Sequence, residues 1–191
     1  SSHITNAEVE MIPGANGYRL PTLCEAEYAM RGGDPNAPDW DYLFSGAVSE
    51  PGKERYSINK GLDPVGWYQY NNKTGVSGTS DSDRENNTYY SYKGTHEVGL
   101  KKPNRLGLYD MSGNVSEYCY GKIDWELTSK IQYTGELEIE PVRSDETGNS
   151  RPSYGGSWRA GAGGAIVHSF PDNVDSSFFA CTGFRVVRSG D

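Results

Sequence analysis

The sequence is poor in the residues on which most metal and redox sites depend. It contains three histidines and three cysteines in 191 residues. The cysteines, Cys24, Cys119 and Cys181, are odd in number and far apart, which excludes a closed disulfide framework and a CxxC metal knuckle. One disulfide beside a free thiol, as in an exported protein, and three reduced thiols, as in the cytosol, are both compatible with this pattern.

Positive charge and long apolar runs are also scarce. The chain has 18 Lys and Arg against 26 Asp and Glu, a formal net charge of −8. Proteins that bind nucleic acid neutralise phosphates with clustered Lys and Arg. The short Lys101–Lys102 pair is too little for that, so no nucleic-acid partner is expected. No apolar segment is long enough to cross a membrane, and the sequence shows no charged-then-apolar leader.

Glycine and aromatic residues are what the sequence has in quantity, with 24 Gly, 14 Tyr and 4 Trp. Turn formers interspersed with aromatic residues are typical of an irregular α+β or loop-and-strand fold, and long helices are not expected. A chain of 191 residues can bury a sizeable core as one domain.

Local patterns predict one helix and three strands. The helix covers residues 23–31, with Thr22 as its N-cap and Gly32–Gly33 as its end. Aromatic and β-branched content predicts strands at 65–70, within 114–118 and at 183–188. The polar stretches 34–61, 71–88 and 121–150 are predicted loops, with a short strand or turn of helix near 40–44.

Four sequence blocks in a fixed order carry a family resemblance. They are Gly-Tyr-Arg-Leu-Pro-Thr at 17–22, Gly-Leu-Tyr-Asp-Met-Ser-Gly-Asn-Val-Ser-Glu-Tyr at 107–118, Gly-Gly-Ser-Trp at 155–158 and Gly-Phe-Arg-Val-Val-Arg at 183–188. Together they resemble the formylglycine-generating-enzyme, or sulfatase-modifying-factor, family over nearly the whole chain. The resemblance implies an α+β C-type lectin fold of that subtype, with much irregular structure, short helices and a small antiparallel sheet. It also implies a single domain over 1–191 that is N-terminally truncated, because family members usually begin well upstream of the first block.

The departures from the family pattern bear on activity. In the oxidases of this family, two cysteines follow the Gly-Gly-Ser-aromatic block, bind copper and carry the oxidation; at those positions this chain has Ala160 and Ala165. Alanine supplies neither a thiolate for a soft metal nor a nucleophile. Cys181 alone cannot form a two-cysteine site. We therefore expect that the protein has no oxidase activity, is not an enzyme and requires no cofactor.

A second branch of the family uses the scaffold for binding. The segments 95–96, 101–104 and 107–118 resemble variable proteins of diversity-generating retroelements, in which adenine-directed mutagenesis rewrites residues near the C-terminus. Randomising adenines in codons that end in C cannot produce Lys, Gln, Glu, Met or Trp, and residues 159–182 contain none of these. The alternative is an ordinary surface loop of small residues.

The stretch 159–182 is therefore the candidate variable ligand-binding region. Bulky apolar side chains in a Gly- and Ser-rich segment commonly act as binding anchors, although core packing is the alternative for Phe178 and Phe179 because neighbouring strand residues face opposite ways. Trp158, Phe184 and Val186 are the expected core beneath the region. The candidate positions are Arg159, Gly163, Gly164, His168, Phe170, Ser177, Phe178, Phe179 and Cys181, with His168 expected as a surface residue and not a metal ligand.

A structural calcium site is a second expectation that follows from the resemblance. Its ligands would be the side chains of Asp110 and Glu117 and the carbonyls of Gly113 and Val115, which are hard oxygen donors around a glycine turn. The alternative is a turn held by its own hydrogen bonds, with Glu117 paired to a basic residue.

These observations predict a non-catalytic, monomeric binding protein whose ligand is a macromolecule, most simply another protein. Such variable proteins are typically displayed at the cell surface or secreted, so contact with a membrane is expected only through an anchor in a missing N-terminal part. Two rival hypotheses stay open: an oxidase relative that acts on sulfatase cysteines, and a structural module with an invariant surface.

Overall fold

The structure, a computed structural model, describes residues 12, 15–53, 58–72, 94–121, 151–168 and 181–188. Regular secondary structure is sparse within these ranges, as the α+β expectation of an irregular fold requires. It consists of an α-helix, α1 (Leu23–Met30), two 3-10 helices (Lys60–Leu62 and Ala162–Gly164) and three strands, β1 (Ser116–Tyr118), β2 (Ser153–Tyr154) and β3 (Thr182–Gly183). No helix in the described ranges has the length and apolar character that crossing a membrane requires.

Helix α1 begins and ends where the sequence signals predict. The Thr22 hydroxyl accepts a hydrogen bond from the Glu25 backbone N–H at 3.3 Å, and the Glu25 carboxylate accepts one from the Thr22 N–H at 2.9 Å, which is a reciprocal capping box. Gly32 and Gly33 then adopt φ values of 86° and 76°, which glycine reaches without steric cost. The predicted helix is confirmed, with Arg31 as its C-cap.

The sheet is mixed, and the expectation of an antiparallel sheet was wrong. Its strand order is β2-β1-β3. Strand β1 pairs antiparallel with β2, with Glu117 opposite Tyr154, and parallel with β3, with Glu117 opposite Gly183. Strands β1 and β3 are not adjacent in the chain, because β2 lies between them in sequence, and parallel strands cannot be joined by a tight hairpin. Glu117 therefore lies at the centre of the sheet, within the predicted 114–118 strand.

The aromatic run at 65–70 is not a strand. Tyr68 is fully buried and its hydroxyl donates to the Asn59 carbonyl at 3.2 Å. Its backbone N–H donates to the Asn71 side chain at 2.8 Å, and the Gln69 N–H donates to the Ala160 carbonyl at 3.0 Å. The backbone bonds of this run are thus made in turns and to a distant loop, so its aromatic content marked burial and not strand pairing.

The expected core under the candidate binding region is only partly correct. Trp158 is buried, with 7% of its surface exposed, but Phe184 is 69% and Val186 is 47% exposed. In an extended segment alternate side chains face opposite sides, and here Arg185 turns inward to Glu117 while Val187 pairs with Arg19. Phe184 and Val186 consequently face outward.

Two apolar clusters form the core of the described ranges. The first packs α1 against the sheet, and the second packs residues 43–70 against the loop that follows Trp158. Val167 belongs to the first cluster, and Ala162 and Ala165 belong to the second. The segment 162–167 therefore connects both clusters and is held by them.

Candidate functional site

The start of the candidate binding region is fixed to the scaffold at three points. The Trp158 N–H donates to the Asn114 carbonyl at 2.9 Å, the Ala160 carbonyl accepts from Gln69 at 3.0 Å, and the Val167 N–H donates to the Leu43 carbonyl at 3.0 Å. The anchored backbone lowers the entropy that a ligand would otherwise have to remove on binding.

The predicted surface positions differ in where the structure places them. Arg159 is exposed, and Gly163, Gly164 and His168 are partly exposed. Cys181 is 2% exposed, so its side chain lies beneath the surface in this conformation. Phe170, Ser177, Phe178 and Phe179 lie outside the described residues.

Ala160 and Ala165 present methyl groups where the resemblance places catalytic cysteines. Ala165 has no exposed surface and packs in the second core cluster, whereas Ala160 is partly exposed. In the described ranges, no group of three or more His, Cys, Asp or Glu side chains is arranged to hold a metal ion. The chemistry of these two positions is that of apolar packing.

Cys181 is the thiol of this neighbourhood, and its environment favours the protonated form. Burial raises its pKa, while the nearby charge of Arg159 and hydrogen bonds to Ser157 and Arg159 partly oppose that shift. The thiolate, not the thiol, is the nucleophile and metal ligand. Cys181 is therefore held in the protonated form, which is the less nucleophilic form of a thiol.

The predicted calcium turn begins at Asp110, which is buried and has a φ of 54°. Asp110 Oδ2 accepts a hydrogen bond from the Gly99 N–H at 2.8 Å, and Oδ1 is buried with no hydrogen-bond partner. Gly113 has a φ of 89°, and a Cβ at this position would lie 2.3 Å from the Trp67 carbonyl oxygen. The turn is thus packed tightly against residue 67, and glycine is required there.

The predicted ligand Glu117 has both carboxylate oxygens occupied by hydrogen bonds. Tyr154 donates its hydroxyl to Oε2 at 2.5 Å, and Arg185 donates Nη2 to Oε1 at 2.8 Å and Nε to Oε2. Burial raises the pKa of the Tyr154 hydroxyl, and the charge of Glu117 raises it further. The pairing of Glu117 with a basic residue, which the sequence left open, is present, and calcium binding stays a prediction.

An aromatic contact that the sequence did not indicate supports this turn. His96 stacks on Trp67 with ring centroids 3.7 Å apart. The Asn114 side chain accepts from the His96 N–H at 3.0 Å and donates to its carbonyl at 3.2 Å, and Asn114 also bonds Trp158. Residues 95–96 and 101–104 carried the resemblance, but no spacing rule predicts the stack between segments so far apart.

The chain matches one family model over residues 2–190, that of the sulfatase-modifying factor enzyme 1-like domain. The family defined by formylglycine-generating enzymes is therefore the class of protein to which this chain belongs, and the prediction of that family is confirmed.

Curated relatives carry different names. The chain is similar to the chaperone protein LppX of Paenibacillus barcinonensis, with 35% identity over 177 residues, 92% of this chain and 51% of the relative. It is also similar to the formylglycine-generating enzyme of Thermomonospora curvata, with 33% identity over 174 residues, 88% of this chain and 48% of the relative. The chain thus spans about half the length of these relatives.

Two solved structures support the fold. Treponema denticola variable protein 1 superposes with a TM-score of 0.59 at 28% identity, covering 93% of this chain and 49% of that one. The crystal structure of CarF gives a TM-score of 0.53 at 26% identity, covering 94% of this chain and 50% of that one. The expected similarity to a variable protein is confirmed as a similarity of fold and sequence.

Proposed function

We propose that this chain is a non-catalytic ligand-binding protein whose residues 159–182 form a retroelement-diversified surface on a stable scaffold. The observation that carries the proposal is the presence of Ala160 and Ala165 at the positions of the family's two catalytic cysteines. Ala165 is enclosed by the core, and the remaining thiol nearby, Cys181, is buried with a raised pKa. Among the residues that the structure describes in this neighbourhood, no pair of thiols is arranged for copper-thiolate oxidation.

The anchoring of the region supports a binding role. Its entry is tied to the scaffold through Trp158, and its exit runs into β3 beside β1. Side chains such as Arg159 and His168 can change between these two attachments without altering the core clusters. A display surface requires this separation between scaffold and contact residues.

The ligand is a macromolecule, and a protein fits best. The net charge of −8 opposes binding to a phosphate backbone. The similarity to a relative named as a chaperone protein and to a variable protein supports a protein ligand. We place the protein at the cell surface or outside the cell, as a monomer.

The DNA that encodes residues 159–182 tests the proposal. Diversification predicts clustered codons that end in C, and a near-copy of the segment rich in Asn codons beside a reverse-transcriptase gene. Ordinary codon usage without such a copy would refute diversification and favour a module with an invariant surface.

An oxidase is the second candidate function, because the chain is 33% identical to a formylglycine-generating enzyme over 174 residues. Such an activity would have to use a thiol other than the two that the family's motif supplies. Cys181 would be the residue to test, since it contacts Ser157 and Arg159, which lie just before Ala160 in the loop that continues to Ala165.

A further inference from the structure

The turn between Asp110 and Glu117 carries a buried negative charge at each end. Both residues are 7% exposed. A buried carboxylate is stable only when a cation or several hydrogen-bond donors compensate it. The carboxylates of this turn therefore require a cation or hydrogen-bond donors nearby.

The guanidinium of Arg185 contacts the turn at both ends. It donates two hydrogen bonds to the Glu117 carboxylate, and its Nη2 also donates to the carbonyl of Tyr109 at 3.2 Å. Tyr109 directly precedes Asp110, whose charge also acts on Arg185. The planar fork of an arginine matches a carboxylate in this bidentate geometry.

We infer that Arg185 is the resident cation of Glu117 and that the 110–117 turn keeps its conformation without calcium. Calcium prefers six to eight oxygen ligands at about 2.3–2.6 Å. To bind both oxygens of Glu117 it would have to displace the Tyr154 hydroxyl and the guanidinium nitrogens, and at either oxygen it would lie beside a fixed positive charge. Glu117, as it is bonded here, therefore does not fit the metal that the family resemblance implies.

Arg185 lies just beyond the C-terminal end of the candidate binding region. It follows β3, so the Glu117 pair closes that region at its C-terminal end. Trp158 attaches the other end through Asn114 in the same turn. Both ends of residues 159–182 are thus tied to one turn by side-chain and backbone bonds, independent of metal supply. This holds whether or not the region is diversified.

Calcium titration of the wild-type protein is the first test. A ligand that binds the native state stabilises it in proportion to the logarithm of its concentration over its Kd. We expect the same thermal midpoint, within about 1 °C, in EDTA and in about 2 mM CaCl2. A calcium-dependent rise of the midpoint that Glu117→Gln abolishes would overturn the inference.

Substitution of the arginine is the second test. Arg185→Met keeps the apolar stem and removes the charge, and breaking a buried pair should lower the thermal midpoint by about 10 °C. The matched control is Arg19→Met, which removes a bidentate partner from the more exposed Glu25 and should lower the midpoint by less than about 3 °C.

Comparison of the two variants distinguishes a specific role of Arg185 from a general loss of stability on removing an arginine. An Arg185→Met protein as stable as the wild type would overturn the inference, and so would equal losses in both variants. If Arg185→Met does not fold, the calcium titration of the wild type still decides, because it needs no variant to exclude a stabilising metal.

Discussion

The imidazole of His96 stacks on the indole of Trp67, with ring centroids 3.7 Å apart and planes inclined by 12°. Lys101 Nζ also lies 3.7 Å from the Trp67 ring centroid. Two groups so close to one ring must occupy opposite faces, so the indole is held between a cation and an imidazole. Together with the hydrogen bonds between His96 and Asn114, this contact joins residues 94–101 to the 110–117 turn, to which Trp158 is also bonded.

The His96 contact predicts a dependence of stability on pH. Burial lowers the pKa of His96, and the charge of Lys101 lowers it further, while a hydrogen bond donated to the Asn72 backbone and the charge of Asp110 oppose the shift. The unfolded chain therefore binds a proton more readily than the native state. The stabilisation is complete above the ordinary histidine pKa of about 6.5 and is lost as the pH falls below it.

Urea unfolding at several pH values measures this effect. His96→Phe keeps an aromatic ring for stacking and cannot titrate, so the wild type should lose more stability than this variant between neutral and mildly acidic pH. Parallel pH profiles for the two proteins would show that His96 does not contribute.

Removal of the N-cap side chain of α1 should cause a modest loss of folding stability. Thr22→Ala removes the side-chain acceptor for the Glu25 N–H and should lower the free energy of unfolding by about 1 kcal/mol. Thr95→Ala, at an exposed position, is the control and should change it little. Denaturant unfolding monitored by circular dichroism gives both values, and equal effects would contradict the capping role.

Alanine substitutions at two glycines with positive φ distinguish the cost of backbone strain from the cost of steric overlap. Gly113 and Gly107 have φ values of 89° and 75°, but a Cβ would lie 2.3 Å from the Trp67 carbonyl oxygen at position 113, whereas nothing lies within 4 Å at position 107. Gly107→Ala should cost about 1–2 kcal/mol from strain alone. Gly113→Ala should cost about 3 kcal/mol or more, because overpacking adds to the strain. Similar losses would mean that the turn is not packed on residue 67.

The thiols should react in an order set by their exposure. Cys24 is partly exposed, whereas Cys119 and Cys181 are buried and burial raises the pKa of both thiols. Iodoacetamide at neutral pH should therefore modify Cys24 first and the other two only when the protein unfolds. Peptide mapping after timed labelling measures this. Rapid modification of Cys181 in the folded protein would reopen a chemical role for it.

The sequence predicted the features that depend on nearby residues or family motifs better than those that depend on pairing between distant segments. The capping box at Thr22 lies within a few residues of sequence, so the helix could be predicted from it. The parallel pairing of β1 with β3 and the Glu117–Arg185 bond join distant segments, and no local pattern encodes them. Composition at 183–188 suggested a strand but not its phase, and a shift of one residue reverses which side chains face inward. For that reason Phe184 and Val186 were assigned to the core and Arg185 was not.

Motif spacing could predict some structural details of the candidate binding region and not others, and its role in binding stays a prediction. Ala160 and Ala165 could be placed by motif spacing, and the structure shows Ala165 in the core. Burial of Cys181 could not be foreseen, because it depends on packing against Ser157 and Arg159. The aromatic anchors at 170, 178 and 179 stay predictions, since they lie outside the described residues.

An assay for cysteine oxidation tests the central claim most directly. The protein is incubated with copper, oxygen and a cysteine-containing sulfatase peptide, beside the Thermomonospora curvata formylglycine-generating enzyme as the active control, and the peptide is followed by mass spectrometry. A non-catalytic binding protein should leave the peptide cysteine unchanged while the control converts it. Conversion of the cysteine to formylglycine by this chain, abolished by Cys181→Ser, would contradict the proposed function.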